Sequence, residues 1–454
     1  MFVVNSIFFW ALLIFIWGGV LRCFIQMRSK KVFLIDFACS KPPISQMCTK
    51  IMTAERVKIL GNYSEEMMDY MKMTMDKVGL GDNTYLPEAL HKDPPNPCMD
   101  LARKESEFVM FGSLDNLFEK TKFVQPKDIG ILIVNCSVFH PVPSLSSIIV
   151  NRYNLKHNIL SYNLTGMGCT AGLLAIRLAN QLLQVHENTC ALILSTENTT
   201  DCIYVGNDES KFISNCTFRV GGAAILLSNR PFDKEFSKYE LLHDVHTNGA
   251  SLDRSYKSIF LEEDEQGLIG VSITKDLLVA ATNAIETNLT LLGPLILPLS
   301  EKYIFFKNLI RRFLGVGNVK KYVPKFNTAV DHFFPHVGGL PVLNQLQKML
   351  KFCDESMEAS KITLRRFGNT SSSSVWYELA YAEAKGRIKK NDRIWQMAFG
   401  SGFKCSSLIW RAMRSVDSND LKNPWNREID SVDLNLNGIE TLNFDYFESP
   451  LLSS

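Results

Sequence analysis

The run NILSYNLTGMGCTAGLLAIRLANQLL, residues 158–183, decides the fold class. It opens as a short apolar strand, crosses a turn holding Gly166 and Gly168, and continues from Cys169 as a segment apolar nearly all round. A helix of that kind is buried. Strand, glycine turn and buried helix in succession are the signature of α/β architecture. The neighbouring segments DIGILIVNCS (128–137) and CALILSTEN (190–198) each read as a buried strand. So does FRVGGAAILLSNR (218–230), with glycines where backbones approach closely.

Farther along, the pattern echoes. DHFFPHVGG (331–339), LRRFGNTSSSSVWYELAYAEAKG (364–386) and RIWQMAFGSGFKCSSLIWRAM (393–413) again alternate turn, helix and strand. The glycine turns before Cys169 and at Asn369 both open apolar helices, which points to an internal duplication. The segment before residue 127 reads as a helical preface. It includes an amphipathic Met-rich helix over 64–78 and a second helix over 102–121, the methionines forming a packing face. The expected division is an anchor at 1–27, a preface at 28–126 and a first half at 127–270 carrying the nucleophile. A second half at 271–426 carries His and Asn, and an acidic tail occupies 427–454.

The 454 residues carry a net charge of +2, with no basic stripe interleaved with aromatics, so no nucleic-acid footprint is present. Hydrophobic content of 46% excludes a disordered chain. The 11 cysteines are scattered, without CxxC pairs or Cys/His clusters, so no metal is expected. Their odd number and spread suit a reducing compartment.

Residues 1–21 contain no ionisable side chain, enough apolar length to cross a bilayer. Arg22, Arg28, Lys30 and Lys31 follow, which by the positive-inside rule places the rest in the cytosol. A cleaved signal peptide is the competing reading, but the run has no basic residues before it and no small-x-small site after it. The sequons at Asn163, Asn198, Asn288 and Asn369 agree, since two of them lie near the residues nominated below and a luminal domain would risk glycans there. Residues 291–314 mix Phe, Ile and Leu with Lys307, Arg311 and Arg312. That composition suits an interfacial helix or, equally, an ordinary packed surface helix.

Cys169 stands where a helix start favours a thiolate, the form that accepts an acyl group. By local pattern alone a buried structural cysteine is the commoner case. His336 and Asn369, each beside a glycine, are the candidate partners. Cys with distant His and Asn is a known nucleophilic arrangement, and His and Asn can donate to an oxyanion.

Long stretches of the chain resemble plant 3-ketoacyl-CoA synthases, the condensing enzymes of very-long-chain fatty acid elongation. They are residues 163–198, GNDESKFISNCTFRVGGAAILLSNR (206–230), GPLILPLSEK (293–302), LRRFGNTSSSSVWYELAYAEAKGRI (364–388) and FGSGFKCSSLIWRAM (399–413). The similarity runs from KVFLIDFACSKPP (31–43) to KNPW (422–425). It implies a thiolase-like α/β fold of two similar halves, layered α-β-α-β-α, behind an N-terminal transmembrane helix. It implies a Cys169–His336–Asn369 site, with His332 matching a further family histidine. The Cys169 N–H and the Gly400–Ser401–Gly402 loop would form an oxyanion hole. The implied substrates are acyl-CoA and malonyl-CoA, with no cofactor. The implied partners are membrane lipid, a second subunit in a homodimer or heterodimer, and the reductases and dehydratase of an elongase complex. The implied location is the endoplasmic reticulum membrane, facing the cytosol.

Several positions depart from the family pattern. One membrane span is seen where members usually have two. Asn248 and Arg365 stand where histidines are common, Leu340 replaces an arginine, and Thr165-Gly166 replaces a glycine pair. Two other readings compete: a type III polyketide synthase-like enzyme, and a non-catalytic membrane partner of an active elongase. The 1–21 segment opposes the first, and intact Cys169, His336 and Asn369 oppose the second.

Overall fold

The computed structural model describes residues 17–18, 30–315 and 322–429. The predicted anchor, except for residues 17–18, and most of the acidic tail lie outside the described residues. Among the described residues no helix is long and apolar enough to cross a membrane.

The main sheet has nine strands. In chain order these are β1 (Phe33–Cys39), β2 (Ile129–Asn135), β3 (Leu160–Leu164), β4 (Cys190–Thr196), β5 (Gly222–Ser228), β6 (Tyr239–Asn248), β7 (His332–Pro335), β8 (Arg393–Gly400) and β9 (Lys404–Ala412). Their spatial order is β7-β8-β9-β6-β1-β5-β4-β2-β3. The order contains one motif twice. In the first half β1 pairs antiparallel with β5, β5 antiparallel with β4, and β4 parallel with β2. In the second half β6 pairs antiparallel with β9, β9 antiparallel with β8, and β8 parallel with β7. The halves meet where Phe33 and Leu34 of β1 face Glu240 and Tyr239 of β6.

Side-chain alternation builds the layers. Ile131, Ile133, Ile193 and Ile225 of the first half, with Ile394, Ala398 and Leu408 of the second, point inward to one shared core. Two helices fill that core, α3 (Ala171–Val185) through Leu173, Ile176 and Leu183, and α7 (Ser374–Ala384) through Val375, Trp376 and Leu379. The opposite face of the first half, Leu132, Val134 and Leu192, packs on α1 (Met99–Lys120) and α2 (Leu145–Tyr153). Trp395, Met397 and Ile409 of the second half pack on α4 (Leu277–Ile296) and α6 (Leu340–Leu350). The layers are therefore α-β-α-β-α, as the resemblance implied.

Two predicted divisions shift. The preface is not only helical, because it supplies β1, the strand that joins the halves; Asp36, paired with Lys120 and Lys238, breaks the apolar run that would have betrayed it. The second half begins at β6 rather than at 271, since β6 completes the second half-sheet by pairing along β9. The long apolar stretch after 277 is broken in two. Pro298 caps α5 (Leu299–Phe313), because it has no N–H to continue the preceding helix. Among the described residues every cysteine is free. Asn198, Asn288 and Asn369 of the sequons are buried.

Candidate active site

The two inner helices start at the same end of the sheet, each from a single 3-10 turn. Gly168–Thr170 opens α3 and Ser371–Ser373 opens α7. They touch through backbone, since a Cβ on Gly172 would lie 2.4 Å from the Ser372 carbonyl oxygen. Side chains of the second turn reach into the first half. Ser372 donates to Asn135 Oδ1 at 2.6 Å, and Asn135 Nδ2 donates to Ser195 Oγ at 2.8 Å.

Cys169 lies within the first turn. Its Sγ is 3.7 Å from Ser371 Oγ. The same hydroxyl lies 3.1 Å from Glu197 Oε2, its single proton serving either acceptor, while the Ser371 N–H donates to Asn369 Oδ1 at 2.8 Å. Ser371 thus links Cys169 and Asn369 through one residue. Glu197 is held in turn by the N–H groups of Ser137 and Val138 at 3.0 and 3.1 Å. Asn369 is fixed by its backbone: its carbonyl accepts from Arg219 N at 2.9 Å, in a bridge formed beside Phe218. The FRVGG segment makes the close approach its glycines predict, for a Cβ on Gly221 would lie 2.5 Å from Thr370 Cγ2.

β8 carries the oxyanion-hole candidates. A Cβ on Gly400 would lie 2.6 Å from Cys169 N, and one on Gly168 would lie 2.7 Å from Ser401 N. Glycine is thus required at both positions for the loops to meet. His336 follows β7, and its N–H donates to the Met397 carbonyl of β8 at 2.7 Å. Its ring stands edge-on to Phe399, one residue before Gly400, with centroids 5.6 Å apart. Cys169, His336, Asn369 and the Gly400–Gly402 loop therefore gather at one end of the sheet.

Burial sets the protonation states. It pushes the Cys169 thiol up to about 12; the Ser371 hydroxyl opposes the shift and the Glu197 carboxylate adds to it. The thiolate expected from the helix start is thus outweighed by desolvation. Burial also holds His336 down at about 3, and its Nδ1 is buried without a partner. The resting pair is a neutral thiol and a neutral imidazole.

His332 does not join them. It begins β7, four residues before His336, and its Nε2 meets Asp392 Oδ2 at 2.9 Å. At ~3.3 Å per residue that is about 13 Å along the strand. The altered positions are also placed. Asn248 ends β6 opposite Lys404, just beyond the Gly400–Gly402 loop. Leu340 is buried, its Cβ against Gly79, where apolar packing stands in place of a charge. Ser371 and Glu197 were not singled out in the sequence; four consecutive serines at the mouth of a buried helix were the available signal.

The model of the FAE1/type III polyketide synthase-like protein family matches residues 24–314. That of the 3-oxoacyl-[acyl-carrier-protein] synthase III C-terminal family matches residues 327–412. "3-Ketoacyl-CoA synthase 11" of Arabidopsis thaliana is 52% identical over 93% of this chain and 83% of its own length. "3-Ketoacyl-CoA synthase 2" of the same plant is 51% identical over 94% and 81%. The chain belongs to the 3-ketoacyl-CoA synthase family. The thiolase-like fold is shared with a CsyB mutant at a TM-score of 0.65 and 20% identity, over 84% of this chain and 100% of that one. It is shared too with the type III polyketide synthase domain of Steely1 from Dictyostelium at 0.63 and 15%, over 85% and 100%. Within the family, the residues that gather at the sheet end acquire a chemistry to be tested.

Proposed function

We propose that this chain condenses a long- or very-long-chain acyl-CoA with malonyl-CoA, releasing 3-oxoacyl-CoA, CoA and carbon dioxide. The observation that carries the site assignment is Ser371, which holds Asn369 by its N–H and touches Cys169 by its hydroxyl.

The Cys169 sulfur attacks the acyl thioester; the carbon–sulfur bond to CoA breaks, and CoA leaves with the thiol proton. The acyl chain is then carried on Cys169. Malonyl-CoA enters with its thioester carbonyl facing His336 and Asn369. Neutral imidazole and the Asn369 amide donate hydrogen bonds to that oxygen as the carboxylate leaves as carbon dioxide. The electron pair of the broken carbon–carbon bond becomes an enolate, whose carbon attacks the acyl-Cys carbonyl. The Cys169 N–H and the Gly400–Gly402 loop hold that second oxyanion. Collapse releases the 3-oxoacyl-CoA, and Cys169 regains a proton from solvent. A His336 kept neutral by burial suits this role, because a hydrogen-bond donor is needed and a base is not. Decarboxylation supplies the driving force, so the balance calls for no redox partner.

The proposal includes anchorage by residues 1–21 in the endoplasmic reticulum membrane, with the catalytic unit in the cytosol beside elongase reductases and dehydratase. It also includes a homodimer or heterodimer. Free cysteines and buried sequons support the cytosolic side.

Microsomes carrying the protein, supplied with radiolabelled malonyl-CoA and a series of acyl-CoAs, test the reaction. Extended 3-oxoacyl products that vanish in Cys169→Ala are expected. Pyrones from short or aromatic starters would replace this reading with a polyketide one, and no product from any acyl-CoA would leave a non-catalytic partner. Carbonate extraction tests the anchor: release of intact protein into the supernatant would sink it.

A further inference from the structure

Helix α5 shows an apolar face to solvent. Leu299, Tyr303, Phe306, Ile310 and Phe313 recur at spacings of four, three, four and three residues. At 3.6 residues per turn they fall within an arc of about 80°. All five are exposed, Leu299 at 82% and Phe313 at 90% of full accessibility. A soluble surface helix normally turns such a stripe inward. The side opposite the stripe is mixed, with Glu301, Asn308 and Arg312 beside Ile304 and Phe305, which are 41% and 40% exposed. Glu301, about 160° from the midline of the stripe by the same geometry, is buried and accepts from Tyr322 Oη at 2.7 Å and Lys325 N at 3.0 Å.

The charges are arranged around the stripe. Lys302 lies about 60° to one side of its midline and Lys307 about 80° to the other, with Arg311 beyond Lys307. Arg312 adds a fourth cation, and Glu301, the only acid of the helix, is already used. An apolar stripe bordered by long cationic side chains matches the boundary between acyl chains and anionic headgroups. There the stripe enters the hydrocarbon and the ammonium groups reach back to phosphate. A second copy of the chain fits poorly, because a two-fold contact would set four cations against four with no exposed acid on the helix between them. The helix is 15 residues long, ~22 Å at 1.5 Å per residue, so it lies along such a surface and does not cross it.

We propose that α5 is a membrane-surface helix, seating the outer layer of the second half on an anionic lipid leaflet. This stands apart from the catalytic reading and from the anchor at residues 1–21. It adds a second attachment, through α4, whose Asn288 donates to the Cys405 carbonyl at 3.1 Å and accepts from Ser407 Oγ at 2.7 Å on β9. β9 follows directly on the Gly400–Gly402 loop. Seating α5 therefore fixes which way the candidate active site faces the leaflet from which a long acyl chain would arrive.

The test places a photoreactive residue on the stripe, Phe306→p-benzoylphenylalanine, in the full chain reconstituted in phosphatidylcholine vesicles with and without phosphatidylserine. The same probe at Val185, which is 74% exposed on another layer, reports background. The expected result is a phospholipid adduct at 306 at least about fivefold above that at 185 and stronger with phosphatidylserine. The adduct should fall about fivefold when Lys307→Glu and Arg311→Glu are added, the loss anticipated when cations leave an anionic surface. A lipid yield equal to that at 185, a covalent dimer, or an adduct to another polypeptide as the main product would each overturn the proposal.

Discussion

The turn Gly168–Thr170 opens α3 in the first half, and Ser371–Ser373 opens α7 in the second. Each begins with a left-handed residue, Gly168 at φ +64 and Ser371 at φ +55. The second member of each turn is the informative pair: Cys169 in one half, Ser372 in the other. Equivalent places carry different chemistry. Ser372 is buried and spent on Asn135, tying the second half to the first. Cys169 makes no such tie, and its sulfur is left beside Ser371 Oγ. A duplicated fold thus provides two similar helix starts, one used to hold the halves together and one to hold a nucleophile.

Exchanging losses at the two positions is the strongest way to break this comparison. Cys169→Ala should abolish condensation while moving the melting temperature little, because the thiol's one polar contact is a long one to Ser371 Oγ. Ser372→Ala should do the reverse. It leaves the Asn135 amide oxygen buried and unpaired, costing ~1–3 kcal/mol of stability, with most of the activity retained by the folded enzyme. Denaturant melts and turnover on both variants decide it; equal stability losses would mean that the two turns are not specialised.

A smaller effect concerns protonation. Burial puts the Cys169 thiol at about 12, whereas hydrogen bonds from Ser356 lower that of exposed Cys353. Only the thiolate is alkylated, so Cys169 should react far more slowly than an exposed thiol near neutral pH. Iodoacetamide on the substrate-free protein at pH 7.5 should label Cys353 first. Cys169 labelling should keep rising to higher pH than that of Cys353 does. Early labelling of Cys169 would show that a charge or solvent path offsets its burial.

Ser371 sharpens the comparison further. A non-glycine residue in the left-handed region costs of order 1–2 kcal/mol, and its counterpart Gly168 avoids that cost. Ser371→Gly removes the strain and with it the hydroxyl between Cys169 and Glu197. The variant should fold as well as the parent or better, yet lose about tenfold in the acyl-transfer step. Loss of the hydroxyl that lowers the Cys169 thiol should also move the alkylation profile to higher pH. Unchanged transfer would make Ser371 a structural residue alone.

What the sequence made legible follows the same division. Strands β2 and β4 were readable as short apolar runs, and helix α3 as an apolar run after a glycine turn. The glycines of FRVGG announced a close approach, and Thr370 makes one against Gly221. That Cys169, His336 and Asn369 gather at one sheet end was not in their spacing; it came from the family resemblance, and the duplicated topology supplies its physical reason. Glu197 and Ser371 stayed hidden because their roles depend on hydrogen bonds between halves. Strand β1 stayed hidden because Asp36 interrupts its apolar run, the charge being met by Lys120 and Lys238 from elsewhere in the fold.

Of the two histidines around β7, His332 gives the smallest expected effect. His336 follows the strand's end beside Phe399, buried, with its Nδ1 unpaired. His332 starts the strand, half-buried, with its ring held by Asp392. In a parallel strand the two ends face opposite rims of the sheet, and the inner helices begin at the His336 end. Family pattern placed both in one site, and strand geometry separates them. His332→Gln keeps a donor toward Asp392, so turnover should stay within about twofold and stability within ~1 kcal/mol, the net worth of one hydrogen bond. His336→Gln should lower turnover by about a hundredfold, since it displaces a donor aimed at a developing oxyanion. The decisive readout is the split between kcat and stability. A His332 variant that lost turnover without losing stability would mean that the far rim of β7 communicates with the thiol.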